Sequence, residues 1–208
     1  ARMSHNIDAI ANDAFPSTVA LWKITEGQTQ VQASDRSLLN PVTNFAIRQR
    51  EKTRVENAWK QINQGFDEYE KLPRTPEEEQ LYQEFKTLWD RWKETYEQYK
   101  LLNQEFEKYN LVNPLQIQVN LLSQGRANDP QIVTARAAQS IFNKMNEYMY
   151  GTKTPALAAS AAALQKVLDY NNRKTIEVKN TAAGDVVQNR IWVLVGLLIG
   201  PLTAVLFG

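Results

Sequence analysis

An uncharged run at the end of the chain, residues 191–208, constrains the fold more than any other feature. An α-helix needs roughly 20 apolar residues to cross the ~30 Å hydrocarbon core of a membrane. Arg190 and Trp192 stand where this run begins, and a cation beside an amphipathic ring is typical of a membrane interface. We therefore expect residues 190–208 to form a transmembrane helix anchored by Arg190 and Trp192. The alternatives are a hydrophobic docking helix and a tail anchor.

The remaining residues, 1–189, are polar and suit one extracytoplasmic domain with its own core. The 208-residue chain carries 24 basic and 23 acidic side chains, a balance that argues against a nucleic-acid partner. It has no cysteine and a single histidine, His5, so we expect no metal site, no cofactor and no histidine-based catalysis. Because it opens on Ala1 without a signal-like segment, we expect a piece of a longer protein.

Proline residues mark the predicted boundaries between helices. Five times a short polar residue stands directly before proline, a pair that suits the cap and first position of a helix. These pairs are Asn40-Pro41, Thr75-Pro76, Asn113-Pro114, Asp129-Pro130 and Thr154-Pro155. Glu78 also completes a capping box with Thr75. The predicted helical runs are about 1–39, 42–72, 76–109, 114–124, 130–150 and 155–207.

Apolar residues recur within these runs at steps of three and four, which predicts helices that each bury one stripe. The clearest stripe is aromatic and contains Tyr82, Phe85, Trp89, Trp92, Tyr96, Tyr99 and Phe106. Aromatics at this spacing favour a core, and we extend that interpretation to Trp22 and Trp59. The predicted fold is all-α, an antiparallel up-down bundle of four to six helices that continues into the C-terminal transmembrane helix.

Two segments are similar to a known family. They are LWKITEGQTQVQASDRSLLNP at 21–41 and YEKLPRTPEEEQLYQEFKTLWDRW at 69–92, with a later helix entering the expected span. This pattern resembles the four-helix-bundle periplasmic sensor domain of bacterial methyl-accepting chemotaxis proteins, the transmembrane chemoreceptors. The resemblance covers roughly residues 16–109 and the last helix. The length of 110–150 leaves open a six-helix variant.

The resemblance implies a function in signalling rather than catalysis. It implies a periplasmic sensor in the bacterial inner membrane that pairs as a homodimer and binds a small molecule, with organic acids among the candidates. Binding would shift the last helix and pass the signal to cytoplasmic parts beyond Gly208. Two alternatives stay open: the sensor of a membrane histidine kinase, and a membrane-anchored coiled-coil tether. No catalytic motif was found in the sequence.

The candidate ligand-binding residues are Asp35, Arg36 and Arg48, close to the predicted first turn. A guanidinium there could clamp a carboxylate in bidentate fashion, whereas ordinary solvated ion pairing is the simpler alternative. Their spacing does not reproduce the arginines of aspartate-type chemoreceptors, so no amino-acid ligand is carried over. Several polar residues also fall in the apolar stripes, where they either line a pocket or fix helix register. They are Ser17, Gln28, Asp35, Asn171 and Thr175.

Overall fold

The computed structural model describes residues 15–177 and residue 180, and the regular structure within them is helical. It contains five consecutive helices. These are α1 (Phe15–Leu38), α2 (Phe45–Tyr69), α3 (Pro76–Glu107), α4 (Pro114–Ser123) and α5, which begins as Pro130–Tyr148, passes through a π-helical turn at Met149–Lys153 and continues to 177.

Helices α1, α2, α3 and α5 form an up-and-down bundle, as predicted. Each neighbouring pair is antiparallel, because contacting residue numbers rise on one helix and fall on the other. Two contacts per pair show this order. They are Lys23–Glu68 and Glu26–Gln61 between α1 and α2, Phe66–Phe85 and Trp59–Trp92 between α2 and α3, Glu78–Asn171 and Glu84–Lys166 between α3 and α5, and Gln28–Ser160 and Gln32–Thr154 between α1 and α5. Helix α4 packs on the start of α5 at what we call the distal end, where α1 finishes.

Aromatic side chains supply much of the core. Every member of the stripe on α3 is buried, and Trp59 and Phe66 of α2 pack against it. Ring centroids 4.8–6.4 Å apart connect the α2 and α3 aromatics into a continuous row, within the range of favourable aromatic pairs. The core interpretation is confirmed for these residues. It is wrong for Trp22, whose side chain lies 52% exposed on α1.

The predicted helix boundary at Thr154-Pro155 is wrong. Helix α5 runs through this pair without a break. Proline lacks the N–H that would bond one turn back, and its ring crowds the carbonyl there. The π turn at Met149–Lys153 directly precedes it, and such a wide turn accommodates a missing bond within a helix. Residues 130–150 and 155–177 are therefore one rod, and α4 is a short addition at the distal end.

Three of the five predicted caps are confirmed. The side chains of Thr75, Asn113 and Asp129 each accept a backbone N–H in the first turn of their helix. Asn40-Pro41 starts no helix, because α2 begins later, behind an Asn44 cap whose side chain accepts from the Ile47 N–H at 2.9 Å.

Two glycines allow α1 and α2 to approach closely. A Cβ on Gly65 would lie 2.7 Å from the Ala20 carbonyl oxygen, and one on Gly27 would clash with Ile62 Cγ1. Both contacts are closer than van der Waals contact. Glycine is therefore required at these two positions, despite costing about 1 kcal/mol of helix propensity relative to alanine.

Within residues 15–177 and 180, no helix has both the length and the apolar character that crossing a membrane requires. The expected transmembrane segment 190–208, with its anchors Arg190 and Trp192, lies outside the described residues.

Candidate functional site

A ladder of buried polar side chains joins α1 to α5. Gln28 donates to the Ser160 hydroxyl at 3.0 Å, and one turn further along α1 Gln32 donates to the Thr154 hydroxyl at 3.2 Å. Buried polar groups that satisfy one another in this way specify a single register between helices. Gln28 therefore fits the register interpretation, because it is buried, bonds to α5 and lies outside the cavity described below.

An ion pair completes the ladder at the π turn. Lys153 Nζ lies 2.8 Å from Asp35 Oδ2 and donates to Gln32 Oε1 at 3.1 Å. Lys153 is fully buried, and Asp35 is nearly so. Burial raises the pKa of Asp35 above its ordinary value, and the nearby Lys153 ammonium offsets part of that rise. The pair is therefore a buried charge couple in which each partner depends on the other.

Aromatic rings enclose this ion pair on the α3 side. The Lys153 ammonium lies 5.6 Å from the centroid of the Tyr99 ring and 5.9 Å from that of Trp92, close enough for cation–π attraction. The Tyr99 hydroxyl donates to the Asp35 backbone carbonyl at 3.1 Å. Side chains of α1, α3 and α5 consequently meet at one buried point.

Next to this point a cavity of about 560 Å³ lies between α2 and α3 and opens to solvent. Asp35 and Leu38 form its inner end, Val55, Trp59, Tyr96 and Tyr99 form its walls, and four lysines line it as well, namely Lys52, Lys60, Lys93 and Lys100. Burial raises the pKa of Tyr96 to about 12, and the nearby Asp35 carboxylate adds to this rise. The Tyr96 hydroxyl therefore stays protonated at physiological pH. The volume of the cavity is that of a typical small-molecule site.

The structure separates the three predicted ligand residues. Asp35 lines the cavity. Arg48 is buried and does not line the cavity. Its Nη2 donates to the Leu38 carbonyl at 3.3 Å, and its guanidinium lies 4.8 Å from the centroid of the Phe106 ring. Burial lowers the pKa of Arg48. Arg36 points to solvent on the other face of α1. The expected arginine clamp is therefore not assembled within one chain.

A second buried carboxylate joins three helices at the opposite end of the bundle. Glu78 accepts from the Tyr69 hydroxyl at 2.7 Å and from Asn171 Nδ2 at 2.8 Å. The predicted capping box is thus half formed, because the Glu78 N–H bonds to Thr75 Oγ1 while its side chain turns into the core. Since Glu78 lies on α3, Tyr69 on α2 and Asn171 on α5, this contact clamps the three helices together.

Sequence reasoning missed Lys153 and the cavity lysines. A lysine three residues beyond Tyr150 and next to a Thr-Pro pair looks like a loop residue, and its burial follows from the continuous helix. Lys60 and Lys93 occupy ordinary exposed positions in the heptad pattern, so only the cavity between the helices distinguishes them. Among the described residues, no group of histidine or acidic side chains is arranged to hold a metal ion.

The antiparallel bundle, with a small cavity beside a buried ion pair and a long final helix, defines an all-α helical-bundle domain. Residues 1–110, just over half of the chain, match the family model of the four helix bundle sensory module for signal transduction. The chain belongs to this family, as the sequence resemblance predicted. No curated protein and no solved structure matches the chain. Modules of this family are in general non-catalytic and are typically periplasmic parts of membrane receptors.

Proposed function

We propose that this chain is the ligand-sensing part of a bacterial chemoreceptor, acting as a homodimer with residues 1–189 on the periplasmic side of the inner membrane. Residues 190–208 cross that membrane. A bound small molecule displaces α5, and the displacement passes through the span to cytoplasmic signalling parts. Family membership and the uncharged C-terminal run support this proposal.

The observation that carries it is the coupling of α5 to the polar ladder. From 130 to 177, α5 is a rod about 70 Å long at ~1.5 Å per residue. Signalling helices typically move by about 1–2 Å. A shift of that size is enough to break the contacts of Lys153 with Asp35 and Gln32, which are 2.8 and 3.1 Å long. The ladder can therefore hold α5 in one discrete position.

An exposed apolar stripe on α1 supports the homodimer. Phe15, Val19 and Trp22 are 66, 39 and 52% exposed, and their spacing places them on one face. A cysteine replacing Trp22 should form a disulfide between two copies under mild oxidation in membranes. The same change at the exposed Gln165 of α5 is the control. Equal crosslinking at both positions would argue against an α1 interface.

The signalling test is a hybrid receptor. Residues 1–208 are joined to the cytoplasmic part of a well-characterised chemoreceptor in bacteria without chemoreceptors of their own, and kinase output is recorded. Lys153→Met should shift the basal output, because it releases the ladder, whereas Lys166→Met on the exposed face of the same helix should not. The proposal fails if a membrane-inserted, folded Lys153→Met hybrid gives the wild-type output and no organic acid, amino acid or aromatic compound changes it.

Sidedness can be tested separately because the chain has no cysteine. Val133, 70% exposed near the distal end, becomes the only thiol in Val133→Cys. A maleimide that permeates the outer membrane but not the inner one should label it in intact cells. Labelling that requires lysis would contradict a periplasmic location.

A further inference from the structure

The cavity between α2 and α3 combines two unpaired cations with an aromatic wall. Two of its four lysines have partners: Lys52 bonds to Glu107, and Lys100 lies 3.3 Å from Glu97. No residue in the described part of the chain forms an ion pair with Lys60 or Lys93. The cavity therefore has two ammonium groups available for a ligand.

These two lysines flank one aromatic stack on facing helices. Trp59 of α2 stacks on Trp92 of α3, with ring centroids 5.5 Å apart. Lys60 and Lys93 are the next residues along their helices, so they occupy facing helices beside this stack and both line the cavity. Two like charges that line one cavity repel each other, and an anion bound there relieves that repulsion. Glu56, whose carboxylate also lines the cavity, makes no ion pair with either lysine in the described part of the chain.

The wall next to these lysines suits a flat apolar group. Trp59 is only partly buried, although it packs on the core, and its ring centroid lies 4.9 Å from that of Tyr96. Val55 adds an aliphatic surface one turn away. A ligand ring placed here would meet aromatic faces and edges at the 4.5–7 Å separations that stabilise aromatic pairs. An inorganic anion or a short aliphatic acid would leave this wall uncovered.

We propose that the cavity is the ligand site and that it takes a small aromatic carboxylate. The carboxylate binds Lys60 and Lys93, and the ring packs against Trp59 and Tyr96. This inference rests on the proposed sensory function and adds to it a site within a single chain. The opposite end of the cavity is formed by Asp35, so an occupied cavity lies directly against the ion pair that holds α5.

Calorimetry on the full chain in detergent tests the proposal with cinnamate as the probe. Cinnamate should bind one molecule per chain. Cinnamyl alcohol, which keeps the ring but lacks the charge, and acetate, which keeps the charge but lacks the ring, should each bind at least about tenfold more weakly. This margin corresponds to the loss of one charge-assisted contact. Equal binding of cinnamate and its alcohol, or no binding of cinnamate, overturns the proposal.

Matched double variants locate the site. Lys60→Gln/Lys93→Gln should lower cinnamate affinity at least about tenfold, because both carboxylate contacts are lost. Lys86→Gln/Lys166→Gln removes the same charge from exposed pairs outside the cavity and should bind like the wild type. Circular dichroism melts of both double variants show whether each is folded at the temperature of the titration. A cavity variant that melts normally and still binds as tightly as the control places the ligand elsewhere.

The two proposals fail in different ways. Binding that depends on Lys60 and Lys93, with a hybrid receptor that never changes its kinase output, supports the site and contradicts the sensory function. A hybrid that responds to other compounds, while cinnamate fails to bind the purified chain, supports the function and overturns the aromatic-carboxylate site.

Discussion

Replacing Lys153 by methionine should destabilise the bundle strongly. Methionine keeps the unbranched apolar stem of lysine but leaves the Asp35 carboxylate buried without its cation. Removing one partner of a buried ion pair costs about 3–5 kcal/mol, a large part of the 5–15 kcal/mol that stabilises an ordinary domain. For a chain of this size the melting temperature should fall by about 6–20 °C. Urea unfolding at pH 8 followed by circular dichroism measures the loss.

This loss should shrink as the pH falls. Burial raises the pKa of Asp35, and the Lys153 charge opposes that rise. Without Lys153 the native-state pKa climbs further, so the folded variant binds a proton that the unfolded chain releases. The stability of Lys153→Met therefore decreases as the pH rises from the ordinary aspartate pKa of the unfolded chain to the raised pKa of folded Asp35. The full loss is reached only at a pH above both pKa values. Each unit by which the mutation raises the pKa of Asp35 adds about 1.4 kcal/mol to the difference between acid and neutral pH.

Two further variants isolate the cause. Lys166→Met removes an exposed lysine from the same helix and should cost at most about 1 kcal/mol at any pH. Asp35→Leu/Lys153→Met removes both charges and should be more stable than Lys153→Met alone. The reasoning is refuted if Lys153→Met costs the same at pH 5 and pH 8, or if the double variant is the less stable of the two.

Three other changes test the fold. Gly65→Ala should lower the free energy of unfolding by about 1–3 kcal/mol because its methyl group meets α1 backbone, whereas Gly151→Ala, which faces open space, should not destabilise. Asn171→Leu should cost about 1–3 kcal/mol by removing a donor from the buried Glu78 carboxylate. Asn44→Ala should cost about 0.5–2 kcal/mol through loss of the α2 cap. Urea unfolding measures all of these, and losses near zero would contradict them.

Local signals predicted most of this fold. The apolar spacing on α3 identified its buried face residue by residue, and Thr75, Asn113 and Asp129 marked their helix starts because capping depends on neighbouring residues alone. Thr154 carries the same local signal and was misread. Its hydroxyl bonds to Gln32, 122 residues away, and that contact cannot be read from the pair Thr154-Pro155. Gly65 is a comparable case, because the need for glycine comes from a facing helix.

The candidate site was harder to predict because it depends on which helices are neighbours. Asp35 was selected as a polar residue in an apolar stripe, and it does line the cavity. Arg36 and Arg48 were selected for proximity in sequence, yet one faces solvent and the other is buried against Phe106. Rotation around a helix, about 100° per residue, separates Arg36 from its neighbour Asp35. Proximity in sequence is therefore a poor guide to a site built between helices.

The π turn connects the mispredicted boundary to the site. Pro155 deprives α5 of a backbone bond, and the widened turn before it contains Lys153, fully buried against α1 and α3. π turns within helices frequently occur at functional positions, where the local geometry is less constrained than in a regular helix. The proline that was predicted to start a new helix thus lies where α5 carries its buried charge. If α5 is the element that moves, its ion pair with Asp35, a residue of the cavity wall, lies beside the proline that removes one of its backbone hydrogen bonds.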